Sequence, residues 1–169
     1  NMLSDQPLVS VIIPCFNSEK LIEESILSVL AQTWKNLEVL VFDDGSSDNT
    51  LVLLQSLSKK DHRLKIYGDG HNHGIVYALN YLLNFVQGEY IARMDADDIC
   101  VINRIEKQIA YLQEHNLDGC GSWFAEIGLG PSKIIRWPHT ESAVRGAMLF
   151  QNTILHPSFL ANRKVFENF

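Results

Sequence analysis

The sequence predicts a mostly parallel α/β sheet with helices covering both faces. Short apolar, β-branched runs alternate with stretches whose apolar positions recur at helical spacing, in the order β-α-β-α-β-α-β-α-β. Several of these runs end abruptly in polar or acidic loops, as strands do at the carboxyl edge of an open sheet. No internal repeat, low-complexity stretch or linker divides the 169 residues, so a single domain is expected over 1–169.

The elements follow in order. Val9-Ser10-Val11-Ile12-Ile13 reads as a buried first strand closed by Pro14, with Cys15-Phe16-Asn17-Ser18 as its loop. Ile22, Ile26, Val29 and Leu30 then predict a helix over Glu19–Gln32, capped by Ser18. Leu37–Phe42 is the second strand, ending in Asp43-Asp44-Gly45-Ser46-Ser47-Asp48. A helix over Asn49–Leu57 follows, capped by Asp48 or Ser47, and Leu64–Tyr67 makes a third, shorter strand. Gly68–Gly74 is a loop rich in glycine and histidine. Ile75–Val86 is helical with a core face at Ile75, Ala78, Leu79, Leu82 and Val86; the Met and aromatic positions at this spacing are read as core. Gly88 ends it, and Tyr90–Met94 is the fourth strand. Val101–Glu114 is a helix through Ile105, Ile109 and Leu112, and Gly119–Ile127 a further strand. Beyond Gly128 the pattern predicts a loop at Gly130-Pro131, a short helix over Glu141–Phe150 and an edge strand at Pro157–Leu160.

Composition narrows the chemistry. With 46% hydrophobic and 20% charged residues the chain is an ordinary globular protein. A net charge of −6 argues against a nucleic-acid backbone or an anionic membrane face as the main partner. Cys15, Cys100 and Cys120 lack metal-site spacing and fit a reducing compartment, so a cytoplasmic location is expected. No transmembrane segment or signal peptide is visible.

The fourth strand carries the main signal. It runs straight into Asp95-Ala96-Asp97-Asp98. Were extended geometry to continue through Ala96, Asp95 and Asp97 would share a face about 7 Å apart. They would then repel by roughly 2 kcal/mol at an effective dielectric near 20. A divalent cation relieves this, and Mg²⁺ typically takes one or two carboxylates together with substrate phosphates. The alternative is that acids gather at any strand-to-helix loop, with Asp97 or Asp98 as an N-cap. The loops Pro14–Ser18, Asp43–Asp48 and Asp95–Asp98 all belong at one sheet edge. Phe16 there stacks on a flat base or fills the core, Asn17 offers an amide, and Asp44 accepts from a base N–H or a ribose hydroxyl, or caps the turn. Together they form a nucleotide-diphosphate site.

The segments VSVIIPCFN (Val9–Asn17), EVLVFDDGSSDNT (Glu38–Thr50), Asn72-x-Gly74 with Ala78-x-Asn80, and GEYIARMDADD (Gly88–Asp98) together resemble the family 2 glycosyltransferases, enzymes of GT-A fold with a D-x-D metal motif. The similarity covers Val9–Ile127. A weaker likeness at Arg104-x-x-x-Gln108 and His156-Pro157-Ser158 points to the bacterial polysaccharide and lipopolysaccharide branch. The resemblance implies that Pro14 and Phe16 line a uracil pocket, with Asn17, Asn72 and Gly74 in the same nucleotide-binding set, and that Asp44 bonds the base. It places Asp95 near the ribose or a metal water and Asp97 on Mn²⁺ or Mg²⁺, so both acids are metal candidates. Arg93, Asp98 and His156 are candidates for acceptor or phosphate contacts. For Arg93 and Arg104 a salt bridge to a neighbouring acid is the alternative.

The implied reaction is inverting transfer of a sugar from a nucleotide-diphosphate sugar, a UDP-sugar favoured, to a hydroxyl of a saccharide or lipid-linked saccharide acceptor. The general base expected from the resemblance falls beyond Phe169. The chain is therefore expected to be truncated at its carboxyl end, with the alternative of a catalytically silent nucleotide-sugar-binding module. The whole protein is expected to be peripheral to the inner membrane face. Leu79 stands where the family often has Arg, and Ile102 where a proline usually follows the acids. His71-x-His73 is read as exposed rather than metal-binding. A sugar-nucleotide pyrophosphorylase is disfavoured because the first loop has no glycine and no basic residue before Lys20; a dehydrogenase is disfavoured because no G-x-G-x-x-G follows a strand.

Overall fold

The structure is a computed structural model and describes residues 6–126, 133–136, 140, 143–144 and 156–167. Within these, a sheet in the order β3-β2-β1-β4-β8-β5 is built from β1 (Val9–Cys15), β2 (Leu37–Asp43), β3 (Leu64–Tyr67), β4 (Tyr90–Arg93), β5 (Gly119–Cys120) and β8 (Leu160–Asn162). The pairs β3-β2, β2-β1 and β1-β4 are parallel, whereas β8 runs antiparallel to both β4 and β5. A separate two-stranded ribbon pairs β6 (Phe124–Glu126) with β7 (Lys133–Ile135). The helices are α1 (Ile22–Leu30), α2 (Thr50–Ser58), α3 (Ile75–Leu83) and α4 (Arg104–His115).

Alternation along the strands divides the core into two layers. Val9, Val11, Ile13 and Cys15 join Val39 and Val41 on one face, packed beneath Ile22, Ile26 and Val29 of α1, Leu54 and Leu57 of α2, and Ile105, Ile109 and Leu112 of α4. Ile12, Leu40, Phe42 and Ile91 form the other face, under Ala78 and Leu82 of α3. Each fully buried aliphatic side chain contributes about 1.5–3 kcal/mol. The expected α/β sheet with helices on both faces is therefore the one observed.

Several details differ from expectation. β1 does not stop at Pro14 but continues to Cys15. Val9 N–H donates toward β2, at the Asn36 carbonyl, and the Ile12 carbonyl accepts from Met94 on the β4 side. Pro14, in phase with Ile12, thus turns its missing N–H toward β4, whose pairing with β1 has already ended at Arg93. Helix α1 begins at Ile22, and the Ser18 hydroxyl bonds the Phe16 carbonyl instead of capping it. Asp48 does serve α2, accepting from Thr50 N–H and the Thr50 hydroxyl. On α3, Ile75 is half exposed, so the core face is narrower than its apolar spacing suggests. The aromatic stripe there is not wholly core either, since Tyr77 and Phe85 remain exposed beside Tyr81.

The strand expected over Gly119–Ile127 is broken in two. Gly119 packs against Phe159 and Ala161, Ser122 N–H turns to the Ser158 hydroxyl, and the chain re-forms as β6 in another sheet. Pro157–Leu160 is not an edge strand: His156–Ser158 is a 3₁₀ turn, and β8 starts at Leu160 between β4 and β5. The loop expected at 130–131 and most of the helix expected over 141–150 lie outside the described residues.

Candidate functional site

The loops that follow β1, β2 and β4 converge, as parallel order requires, on one cleft of about 570 Å³. Pro14, Phe16, Asn17, Asp44, Asp95 and Asp97 all line it. Asn72, Gly74, Arg93, Asp98 and His156 do not. The first two stand behind it: His73 and Gly74 N–H groups each donate to one oxygen of Asp44, at 2.8 and 2.9 Å. Gly45, at φ 74°, lies so close to this loop that a Cβ would come within 2.7 Å of the His71 carbonyl carbon and 2.9 Å of the Asn72 nitrogen. Sequence reasoning missed Glu19, Lys20, Asp48, Ile75 and Ala78, which also line the cleft. The signal was present, because the starts of α1 and α3 lie at the same sheet edge as the acid loops.

The first two loops are laced together. Asn17 is held at φ 48° by its side-chain oxygen, which accepts from Ser47 N–H at 2.8 Å, while its own N–H donates to the Ser46 hydroxyl at 2.9 Å. Ser46 in turn donates to buried Asp43. Glu19 N–H donates to Asp48, and Glu19 accepts from Asn49 N–H and its side chain. This lacing leaves Phe16 48% exposed on the rim, so its ring is not part of the core. Burial, then the neighbouring Asp43 charge, pushes the Cys15 thiol far up, so the sulfur in the cleft wall stays protonated and is no nucleophile.

Asp44 is buried, yet a carboxylate has about four acceptor sites, and the two backbone bonds use only part of them. Asp44→Ala is expected to lower stability by about 1–3 kcal/mol, since two N–H groups lose their acceptor. Asp44→Asn, which keeps one acceptor oxygen, should lose less. Urea denaturation of the two variants checks the order.

The acids after β4 are arranged differently from the expected extended pair. The strand ends at Arg93, and Asp98 N–H returns to the Asp95 carbonyl at 3.3 Å, making a turn. Met94 and Ala96 are buried and anchor that turn, which carries Asp95 half-buried and Asp97 exposed. Arg93 donates to one Asp95 oxygen at 3.1 Å, so the salt-bridge reading of Arg93 is the one observed. Its Nε is buried without a hydrogen-bond partner among the described residues. Asp97 carries neither a hydrogen bond nor an ion pair among them. Although Asp98 is exposed as a residue, partial burial of its carboxyl and then the charges of Asp95 and Asp97 push its pKa up. Among the described residues Arg104 makes no ion pair with an acid and spends its donors on carbonyls and side chains.

No group of three or more His, Cys, Asp or Glu side chains among the described residues could hold a metal. His73 instead pairs with Asp69 at 2.9 Å and stacks on Tyr77. The Asp95–Asp97 turn suits an ion that arrives with ligands of its own: it offers one carboxylate unbonded among the described residues and one partly used by Arg93. Around the cleft Glu19, Asp44, Asp48, Asp95 and Asp97 face a single base, Lys20, among the described residues.

Comparison with known proteins gives this arrangement its family. Residues 10–167 match the model of glycosyl transferase family 2. An uncharacterized glycosyltransferase of Haemophilus influenzae is 39% identical, over 95% of this chain and 53% of its own length. The Escherichia coli UDP-Glc:alpha-D-GlcNAc-diphosphoundecaprenol beta-1,3-glucosyltransferase WfgD is 42% identical, over 67% of this chain and 44% of its own. The chain thus spans about half the length of these relatives. Among solved structures, the Pyrobaculum calidifontis mannosyltransferase PcManGT, in complex with GDP-Man and Mn²⁺, superposes with a TM-score of 0.73 at 18% identity, covering 98% of this chain and 47% of that one. Staphylococcus aureus TarS 1–349 with UDP-GlcNAc gives 0.73 at 24% identity, covering 95% and 46%. With its sheet order, its cleft and this match along nearly the whole chain, the protein belongs to glycosyl transferase family 2 and has the GT-A fold.

Proposed function

We propose that this chain is the donor-binding part of an inverting glycosyltransferase. It takes its sugar from a nucleotide-diphosphate sugar, a UDP-sugar favoured, and delivers it to a hydroxyl of a growing surface polysaccharide or glycolipid. The observation that carries this is the meeting of Phe16, Asp44, Asp95 and Asp97 in one cleft. Such a cleft offers a flat stacking face, a buried acceptor and a pair of acids to a base, a ribose and a diphosphate in turn. Support for the donor class comes from relatives: WfgD is named for UDP-Glc, and TarS was solved with UDP-GlcNAc.

In this reading Phe16 stacks on the base and the Asp44 carboxylate, fixed by the His73 and Gly74 N–H groups, accepts its N–H. Asp97, with Asp95 beside it, would hold Mn²⁺ or Mg²⁺. Bound there, the ion stabilises charge on the leaving diphosphate. Arg93 holds the Asp95 carboxylate in place through its bond to one oxygen, and Lys20 supplies the cleft's own positive charge. The acceptor hydroxyl attacks the anomeric carbon opposite the diphosphate and gives its proton to a base.

A thermal-shift titration tests it. At 100 times its Kd, UDP with Mn²⁺ stabilises by about 2.7 kcal/mol, which is roughly 5–11 °C for a domain of this size. No shift with UDP, GDP or dTDP at millimolar concentration with Mn²⁺ would overturn the reading. No helix among the described residues is long and apolar enough to cross a membrane.

A further inference from the structure

Arg104 opens α4 and Gln108 follows one turn later, so their side chains share a face. Arg104 Nε donates to Gln108 Oε1 at 3.0 Å, which locks the guanidinium plane. Its Nη2 then donates to two carbonyls, Arg93 at 2.9 Å and Pro157 at 3.1 Å, and Nη1 points to Cys100 Sγ at 3.7 Å. Gln108, buried, donates from Nε2 to the Ser158 carbonyl at 2.9 Å and the Cys120 carbonyl at 3.4 Å. The Ser158 hydroxyl accepts from Ser122 N–H at 3.0 Å. Three stretches far apart in sequence are thus gathered on two side chains: the strand end before Asp95, the turn of His156–Ser158, and the end of β5.

We infer that Arg104 and Gln108 are positioning residues of the donor site, making the backbone that bears Asp95 and Asp97 and the backbone that bears His156 one rigid piece. The inference rests on the donor reading given above. Neither side chain lines the cleft, so neither is a ligand. A salt bridge to the acids would have been the simplest use of an arginine here, yet its donors go to main-chain oxygens two residues before Asp95 and one after His156. That geometry needs a planar fork. A lysine places one point charge and cannot bond Gln108 while also spanning two carbonyls. Further restraint on the acid turn comes from buried Met94 and Ala96, from the Asp98 N–H bond to the Asp95 carbonyl, from the Arg93–Asp95 pair and from Ser25, whose hydroxyl reaches the Asp95 carbonyl at 3.4 Å.

The test compares this chain with its Arg104→Lys and Gln108→Met variants. Thermal shifts are read for UMP without metal and for UDP across a Mn²⁺ series. For Arg104→Lys, the Mn²⁺ concentration giving half of the UDP-dependent shift should rise at least tenfold, with the UMP shift within twofold of the parent chain. Gln108→Met keeps the arginine and the side-chain length and is the milder change; it should raise the Mn²⁺ requirement at least threefold, and it carries the test if the lysine variant does not fold. A purely structural role predicts lower melting temperatures with an unaltered Mn²⁺ requirement, and that result overturns the inference while leaving the donor reading intact. Full function in Arg104→Lys overturns it too, since charge alone would then suffice. A parent chain with no Mn²⁺-dependent UDP shift removes the donor reading and this inference together.

Discussion

Replacing Asp97 by Asn should abolish the Mn²⁺-dependent part of UDP binding and leave the fold untouched. Asp97 is exposed and bonds nothing among the described residues, so its carboxylate supports no neighbour whose loss would cost stability. Surface changes of this kind usually stay within about 0.5 kcal/mol. Binding is another matter, because of the turn's acids only Asp95 and Asp97 line the cleft, and Asp95 already shares one oxygen with Arg93. A tenfold or larger loss of UDP affinity in the presence of Mn²⁺ corresponds to at least about 1.4 kcal/mol. Without the metal, the variant and the parent chain should bind UMP alike. Calorimetric titration with and without Mn²⁺ separates the two terms, and an undiminished Mn²⁺ effect would remove Asp97 from the metal's surroundings. The same substitution relieves Asp98 of one neighbouring charge, so its pKa should fall toward the ordinary carboxylate value.

The largest loss of stability is expected at the opposite end of the sheet, from Glu38→Ala. Glu38 is a buried carboxylate on β2. Its Oε1 accepts from the Ser10 hydroxyl at 2.6 Å and from Gln87 N–H at 2.8 Å, and its Oε2 meets Lys65 at 2.9 Å. Ser10 also accepts from Gly88 N–H, where a Cβ on Gly88 would lie 2.7 Å from the Leu8 carbonyl and from Ser10. Truncating the acid strands the buried Ser10 hydroxyl at about 1–3 kcal/mol and also takes the acceptor from the N–H of Gln87, an exposed residue. A total loss of about 3 kcal/mol is expected, read from urea denaturation at neutral pH. Lys65 contributes less, since its side chain is 41% exposed and turns to water.

The same group gives stability a pH dependence. Burial pushes the Glu38 carboxyl up, but hydrogen bonds from Ser10, Lys65 and Gln87 N–H outweigh it and hold the pKa below its ordinary value. A group whose folded pKa is depressed stabilises the native state above its unfolded pKa, about 4.3 for Glu. That contribution is lost as pH falls through the folded value. Asp61, held at about 2 by its bonds with Arg63, acts in the same direction at lower pH. Acid titration of the parent chain should therefore show a steeper loss below about pH 4 than Glu38→Ala does.

Much of this was legible in the sequence, for reasons specific to each element. Val9–Ile13 and Leu37–Phe42 are buried on both faces, and near-continuous apolar runs, each interrupted by one polar residue, signal that. The convergence of the Phe16, Asp44 and Asp97 loops followed from parallel order alone. The acid turn was misread because alternation was carried past the last paired residue; Arg93 is where β4 runs out of partner, and Asp98 then closes on Asp95. The segment after Gly119 was read as one strand because a composition of apolar residues says nothing about which sheet they join. Arg104 and Pro157 lie 53 residues apart, and no local pattern states that one guanidinium will bond the carbonyls of both Arg93 and Pro157. Lys20 and Glu19 were passed over as helix-start residues, although the start of a helix is itself at the rim.

The place of β8 has a consequence for how the chain is made. Ile91 pairs with Ala161, a partner that follows about 70 residues later. At 5–20 residues/s the ribosome needs roughly 4–14 s to supply it. For that interval a nascent β4, beside the acid turn, has an open flank able to pair with any extended segment that reaches it. Leu160–Asn162 closes this flank, and slow translation between the two strands would lengthen the exposure to chaperones and to neighbouring chains.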